Sequence, residues 1–434
     1  MNLFDLPRGF TLAFLFVLGS CIGSFLNVCI HRFPSRQRLR DQLSALNSHG
    51  SGCPKCSAAI RWYDNVPLLG WLMLRGKCRS CHRPISARYP FVEALTALLF
   101  VAVYQAEMPS AGISVDPVRT GLFSPDGPQS LVGMWSADVW LHARYALHIA
   151  MICGLIVATF IDAELKIIPD GCTIPVLLLA LIMSTGFGQI YIVPVWFQGF
   201  SEVNAIRPTA PEWLQPVLFY WDAQPFVESF PRLHGFLVSF VGCVVGAGAI
   251  WLVRIIGFWV LRQEAMGFGD VVLMGMIGSV IGWQPVMVVF FLAPMLAVVA
   301  AAAAWLTRRH REIPYGPWLS IAALLLLLFW KHIWPFARPV FDLGPLLLLL
   351  GGMMVVCLIV SLQMIQLLKR YLGLQPQEDP ATDDNAWCSA DHLSYYNSER
   401  TDVQVGLWKT QLWNGVRSGQ GTTAVHRWRS GQRD

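Results

Sequence analysis

The fold class this sequence predicts is an all-α polytopic membrane protein of about eight or nine transmembrane helices, with a small cytoplasmic zinc-binding loop. Three observations predict it. The 434 residues are 55% hydrophobic and 14% charged, where a soluble domain carries about a quarter charged residues, and the mean hydropathy is +0.49. Several apolar runs approach or exceed the roughly 20 residues that a helix needs to cross a bilayer. Two C-x-x-C pairs stand inside one long basic segment. Together these exclude a soluble globular protein, and no nucleic-acid partner is expected; the lipid bilayer is the first partner.

In chain order, residues 1–30 hold the first span, Phe10–Ile30. Met1 to Phe10 lacks an A-x-A-like cleavage site, so this run reads as retained. Its small residues, Gly19, Ser20, Gly23 and Ser24, permit close helix approach. Asn27 in the same run needs a hydrogen-bond partner on another helix or on a substrate; a packing seam with a satisfied amide accounts for it equally well. Residues 31–89 are polar and carry eleven Lys and Arg against Asp41 and Asp64. The positive-inside rule places them in the cytoplasm. Residues 90–335 form a core of further spans: one ending at Tyr104, then Leu141–Ile161, Cys172–Val193, His234–Leu261, Val271–Trp283, Pro285–Leu306 and Trp318–Trp330. External inserts are expected at 105–140 and 194–232. Arg308, Arg309 and Arg311 mark the inside again. An extra span at 345–368 precedes a cytoplasmic tail, 369–434, whose polar composition predicts disorder.

Cys53, Cys56, Cys78 and Cys81 form the two pairs, with 21 residues between them. That spacing fits a structural zinc site, in which four thiolates close a tetrahedral shell and leave no position open for catalysis. A redox dithiol needs one pair, and two pairs in a reducing compartment fit metal better. The other seven cysteines are scattered, mostly in apolar runs, and read as small buried residues.

The chemistry is expected at two aspartates. Asp270 closes the stretch Ala265-Met266-Gly267-Phe268-Gly269-Asp270 at the foot of an apolar run, and Asp162 ends Thr159-Phe160-Ile161-Asp162 in a matching place. An ionisable group at a membrane boundary is costly and is a functional candidate by default. Gly267 and Gly269 let backbone or substrate approach closely. Two neighbouring carboxylates repel, so one stays protonated while the other is charged, which suits hydrolysis of a peptide bond: the charged member draws a proton from water and the neutral one polarises the carbonyl. Asp170 and Glu164 read better as solvent-facing turn residues. Glu93 is open between binding a substrate amine and pairing with an arginine.

At these residues the chain resembles the bacterial type IV prepilin leader peptidases. The likeness is carried by Gly19 to Val28 with His31-Arg32-Phe33-Pro34, by the two cysteine pairs, and by Ile60 to Pro67 and Ile85 to Glu93. It continues through Ile161-Asp162, Ile168-Pro169-Asp170 and Thr173-Ile174-Pro175, Gly267 to Asp270, and Pro314-Tyr315-Gly316-Pro317. The resemblance implies that Asp162 and Asp270 are the catalytic pair, with Gly267, Gly269, Asn27, Glu93 and Asp170 in supporting motifs. It implies cleavage of prepilin and pseudopilin leaders at the cytoplasmic face of the inner membrane. It also implies methylation of the new N-terminus with S-adenosylmethionine; no G-x-G-x-x-G nucleotide fingerprint accompanies that second activity. One departure stands out: Val272 occupies the position of the lysine in the family's G-x-G-D-x-K motif. It keeps alive a rival reading, an inactive scaffold or assembly factor that binds pilin-like helices without cutting them.

Overall fold

A computed structural model describes residues 7–36, 38–47, 52–53, 55–108, 137–196, 207–209, 211–212, 215, 224–261, 266–306 and 314–372. Ala265, Arg308, Arg309, Arg311, Cys388, nearly all of the tail and most of both expected inserts lie outside them. The described residues are almost entirely helical and contain no strands, only two isolated bridges. The helices are α1 Arg8–Arg32, α2 Leu39–Leu46, α3 Leu69–Met73, α4 Arg88–Glu107, α5 Ala137–Leu165, α6 Asp170–Phe187, α7 Gln224–Ser229, α8 Pro231–Leu261, α9 Phe268–Ile281, α10 Trp283–Leu306, α11 Gly316–Leu328, α12 Trp330–Phe341 and α13 Leu346–Tyr371.

Seven of these are long and apolar enough to cross a membrane, or eight if α11 and α12, bent 99° at their junction, count as one. Two expected spans differ in form. The run beginning at Val271 is α9, an apolar helix of 14 residues, too short to stand among the seven. The run Trp318–Trp330 ends as a helix at Leu328, and the chain turns into α12, whose Trp330, Trp334 and Phe341 are buried while Phe336 is exposed. The run expected to be helical to Val193 also stops early, at Phe187. Gly188 takes φ +73°, a left-handed helix cap that glycine adopts without steric cost. Ile190 to Val193 then run as a buried non-helical segment. It is held to the bundle where Trp283 Nε1 donates to Val195 O at 2.6 Å and Gln284 Nε2 donates to Pro194 O at 2.8 Å.

At the centre is α9, apolar along its length and buried from Asp270 to Ile281 except at half-buried Val272. A helix with no polar face must be enclosed by others. Its closest neighbour is α8, and glycine makes that closeness possible: a Cβ on Gly242 would strike Gly278 O, one on Gly278 would strike Gly242 O, and one on Gly246 would come within 2.5 Å of Met274 O. A second seam joins α1 to α4. There a Cβ on Gly19 would lie 2.7 Å from Ala97 Cα, and one on Gly23 2.7 Å from Glu93 Cα. Asn27, the next residue of that four-spaced series, donates to Tyr89 O at 3.0 Å. At the far end of the bundle a buried cluster gathers Glu107 from α4 with Arg144 and His148 from α5.

Candidate active site

Six chain segments meet at the other end of the bundle. Arg88, opening α4, pairs with Glu164 near the end of α5 at 2.7 Å. Gln42 of α2 accepts a hydrogen bond from Gly171 N at 2.6 Å and donates to Arg36 O at 2.8 Å, which pins α2 to the start of α6. Lys166 adopts φ +55° as α5 ends, and Pro169 caps α6. Proline suits that place because it has no N–H to lose at a helix start.

Asp162 is buried on the last turn of α5, and Asp270 is buried in the first turn of α9. Gly316, at the start of α11, donates its backbone N–H to Asp162 Oδ2 at 3.1 Å across 154 residues of sequence. Gly267 lies against the Asp270 carboxylate: a Cβ there would be 3.7 Å from Oδ2. Ile168 is the common wall: its Cβ would lie 3.0 Å from a Cβ on Gly269, and its Cδ1 3.2 Å from one on Gly316. Asp162 and Asp270 are in electrostatic reach of one another, and Tyr315 is in reach of Asp270. Asp162, Asp270, Ile168, Tyr315 and Gly316 therefore surround one recess. The Asp162 carboxylate is held by a main-chain donor, and the glycines beside both acids pack on the aliphatic wall of Ile168. Gly316 is the member that sequence reasoning missed as a site residue; the Pro314 to Pro317 block held it, without any sign that its partner was Asp162.

The other singled-out residues stand nearby. Asn27 lies in the α1–α4 seam, and its Oδ1 is buried without a hydrogen-bond partner. Glu93 is buried, and its Oε2 accepts the Leu68 N–H at 2.7 Å, linking α4 to the cysteine loop. Asp170 is half-buried at the start of α6. Val272, also half-buried, is on α9.

The four cysteine sulfurs lie within 4.8 Å of one another. Cys53 and Cys81 sulfurs are 3.9 Å apart, close to the ~3.8 Å edge of a tetrahedron built on 2.3 Å zinc–sulfur bonds. Each pair sits in the same kind of knuckle. Cys53 N donates to Ala58 O and Ser57 N to Cys53 O; Cys78 N donates to Arg83 O and His82 N to Cys78 O, all at 2.8–2.9 Å. Ser57 and His82 take the matching left-handed turns, φ 57° and 53°. Main-chain N–H groups of Cys81 and Ser80 pull the Cys78 thiol down to about 6, so it offers a thiolate readily. The donor set, four sulfurs at tetrahedral spacing, fits zinc.

Fold and site together define a multi-pass membrane protein with two buried carboxylates facing one recess beside a four-cysteine loop. The family model for the bacterial peptidase A24 N-terminal domain matches residues 17–106, and that for the type IV leader peptidase family matches residues 226–302. A prepilin leader peptidase/N-methyltransferase of Aeromonas hydrophila is 31% identical over 348 residues, covering 75% of this chain and 92% of that protein. Another, from Myxococcus xanthus, is 26% identical over 405 residues, covering 91% of this chain and 86% of that protein. No solved structure matches the chain significantly. The chain belongs to the type IV leader peptidase family.

Proposed function

We propose that this protein is a membrane aspartyl endopeptidase that removes the leader of type IV prepilins and pseudopilins, with Asp162 and Asp270 as its catalytic pair. The observation that carries the assignment is their convergence: one carboxylate from the end of α5 and one from the start of α9, in mutual electrostatic reach. The charged member takes a proton from water as its oxygen bonds to the scissile carbonyl carbon. The protonated member hydrogen-bonds the carbonyl oxygen and stabilises the charge that develops there. Collapse of the adduct breaks the C–N bond, and a proton passes to the leaving amine. The pair titrates as a unit, so neither aspartate is the base by itself. Gly316 N–H orients Asp162; Gly267 leaves room beside Asp270 for an extended substrate, while Gly269 lets Ile168 pack close. Glu93, Asn27 and Asp170 support the frame.

The eleven basic residues of 31–89 support a cytoplasmic loop, and the recess shares that end of the bundle. We take 31–89 as a domain held by structural zinc, 90–335 as the peptidase core and 345–368 as an added helix. The relatives' shared name supports methylation of the new N-terminus with S-adenosylmethionine as donor. The described residues hold no strand–glycine–helix unit for a nucleotide, and no step is derived through that cofactor. Mass spectrometry of the processed pilin's first residue tests methylation. For the peptidase, Asp162→Asn and Asp270→Asn should each cut leader cleavage by about 10³-fold or more while accumulation in the membrane is unchanged. Full processing by either variant overturns the pair, and absence of cleavage by the unaltered protein would restore the scaffold reading that Val272 raised.

A further inference from the structure

Away from the recess, the cysteine loop carries a surface its composition does not explain. Trp62 is 83% exposed, Met73 72%, Leu72 61% and Leu69 57%. These belong to a polar segment, not to a span, and large apolar side chains grouped on such a surface mark a contact. The geometry turns them outward. Gly70 packs against the Asp64 carbonyl, and Trp71 Nε1 donates to Ile85 O at 3.3 Å, so α3 commits one side to the loop and leaves the other open.

Depth identifies what lies opposite. Leu68, which precedes α3, donates its N–H to Glu93 at 2.7 Å. Glu93 is five residues into α4, about 7.5 Å along that helix at 1.5 Å per residue. The 20 residues of α4 span about 30 Å, the thickness of the hydrocarbon core. Leu68 and the helix after it therefore sit about 7.5 Å inside the edge of that slab, within the roughly 5–10 Å to which an interfacial apolar face sinks. Charge agrees with this depth. Residues 55–88 carry seven Lys and Arg against Asp64 alone, and Asp64 is held by Arg79 at 2.6 Å. Arg61 adjoins Trp62, Arg75 and Lys77 follow Met73, and all three are exposed.

We infer that Trp62, Leu69, Leu72 and Met73 form a lipid-docking face that seats the cysteine loop in the boundary layer of an anionic bilayer. Tryptophan favours that layer, apolar side chains beside it bury in the acyl edge, and the flanking bases meet anionic headgroups. The face acts with the Glu93 tether to fix the loop at one height, and it does not depend on the peptidase reading.

The test places p-benzoylphenylalanine at Trp62 or Leu72 in the full-length zinc-loaded protein, reconstituted in phosphatidylethanolamine–phosphatidylglycerol vesicles and irradiated. Leu178, exposed on α6, serves as the lipid-facing control, and Lys55, on a knuckle, as the water-facing one. Lipid adducts at 62 and 72 should reach within about twofold of those at 178 and exceed those at 55 about fivefold. Replacing the anionic lipid with phosphatidylcholine should lower the yield at 62 and 72 and leave 178 unchanged. Yields at 62 and 72 no higher than at 55, with 178 labelled, overturn the inference. So do adducts to a second copy of this chain in place of lipid.

Discussion

The cysteine loop and the bundle around α9 both hold chain in fixed positions, by opposite means. In the bundle, order comes from shape: Gly242 and Gly278 place two helix backbones in contact, and α9 is walled on every side. In the loop, α3 has only five residues and most side chains are exposed. Its order comes from two knuckles that share one thiolate cluster and from single contacts such as Leu68 to Glu93 and Asp64 to Arg79. The difference teaches that damage should stay local in the loop and spread in the bundle.

The sharpest way to break the comparison is Gly278→Val. Its side chain would enter the α8 backbone at Gly242, where neither helix can yield. A loss of about 3 kcal/mol or more is expected, read as a fall in thermal unfolding temperature in detergent and poor accumulation. Next comes the loop itself. Cys78→Ser, or a strong chelator, should reduce bound zinc from about one ion per chain to near none, since ligand capture and local folding are coupled. Protease cutting within 52–85 should then rise while helical circular dichroism stays unchanged; loss of helix would show that the bundle leans on the loop after all. Gly316→Ala tests the recess without touching either aspartate. A Cβ there would lie 2.6 Å from Asp162 Oδ2, and displacing a reacting group by a fraction of an ångström to an ångström costs about 10–100-fold in cleavage rate, with membrane levels preserved. The smallest effect belongs to Asp64→Asn, which should modestly increase protease cutting of the loop. The Arg79 hydrogen bonds hold the Asp64 carboxyl below the usual carboxylate range. A lowered value means the contribution is whole above the unfolded group's pH of about 4 and fades as pH falls through the lowered value. Between pH 6 and 8, the difference between variant and parent should therefore not change.

The parts of this architecture that were legible in the sequence are those with local signatures. Apolar runs marked nearly every span because a bilayer demands length and apolarity from each helix alone. The cysteine pairs declared their cluster through spacing, and the glycine–aspartate stretch declared itself through the cost of a charge in that setting. What stayed hidden depends on partners far along the chain. Gly316 stood only as part of the Pro314 to Pro317 block, with nothing to say that its N–H meets Asp162, 154 residues away. Gln42 is an ordinary amide on a short helix unless Gly171 is known to be beside it. The break between Leu328 and Trp330 also escaped, because the run stays apolar through the bend. The Ile190–Val193 segment is apolar for burial against other helices, which composition cannot tell from burial in lipid.

Helices α9 and α11 run only 14 and 13 residues, about 20 Å each. Both begin at the aspartates, and neither matches the ~30 Å slab around it. Yet α9 does not meet the lipid: its neighbours α8 and α10, of 31 and 24 residues, overreach it. Its shortfall is therefore taken up inside the protein, and both acids can stand at helix ends while staying enclosed.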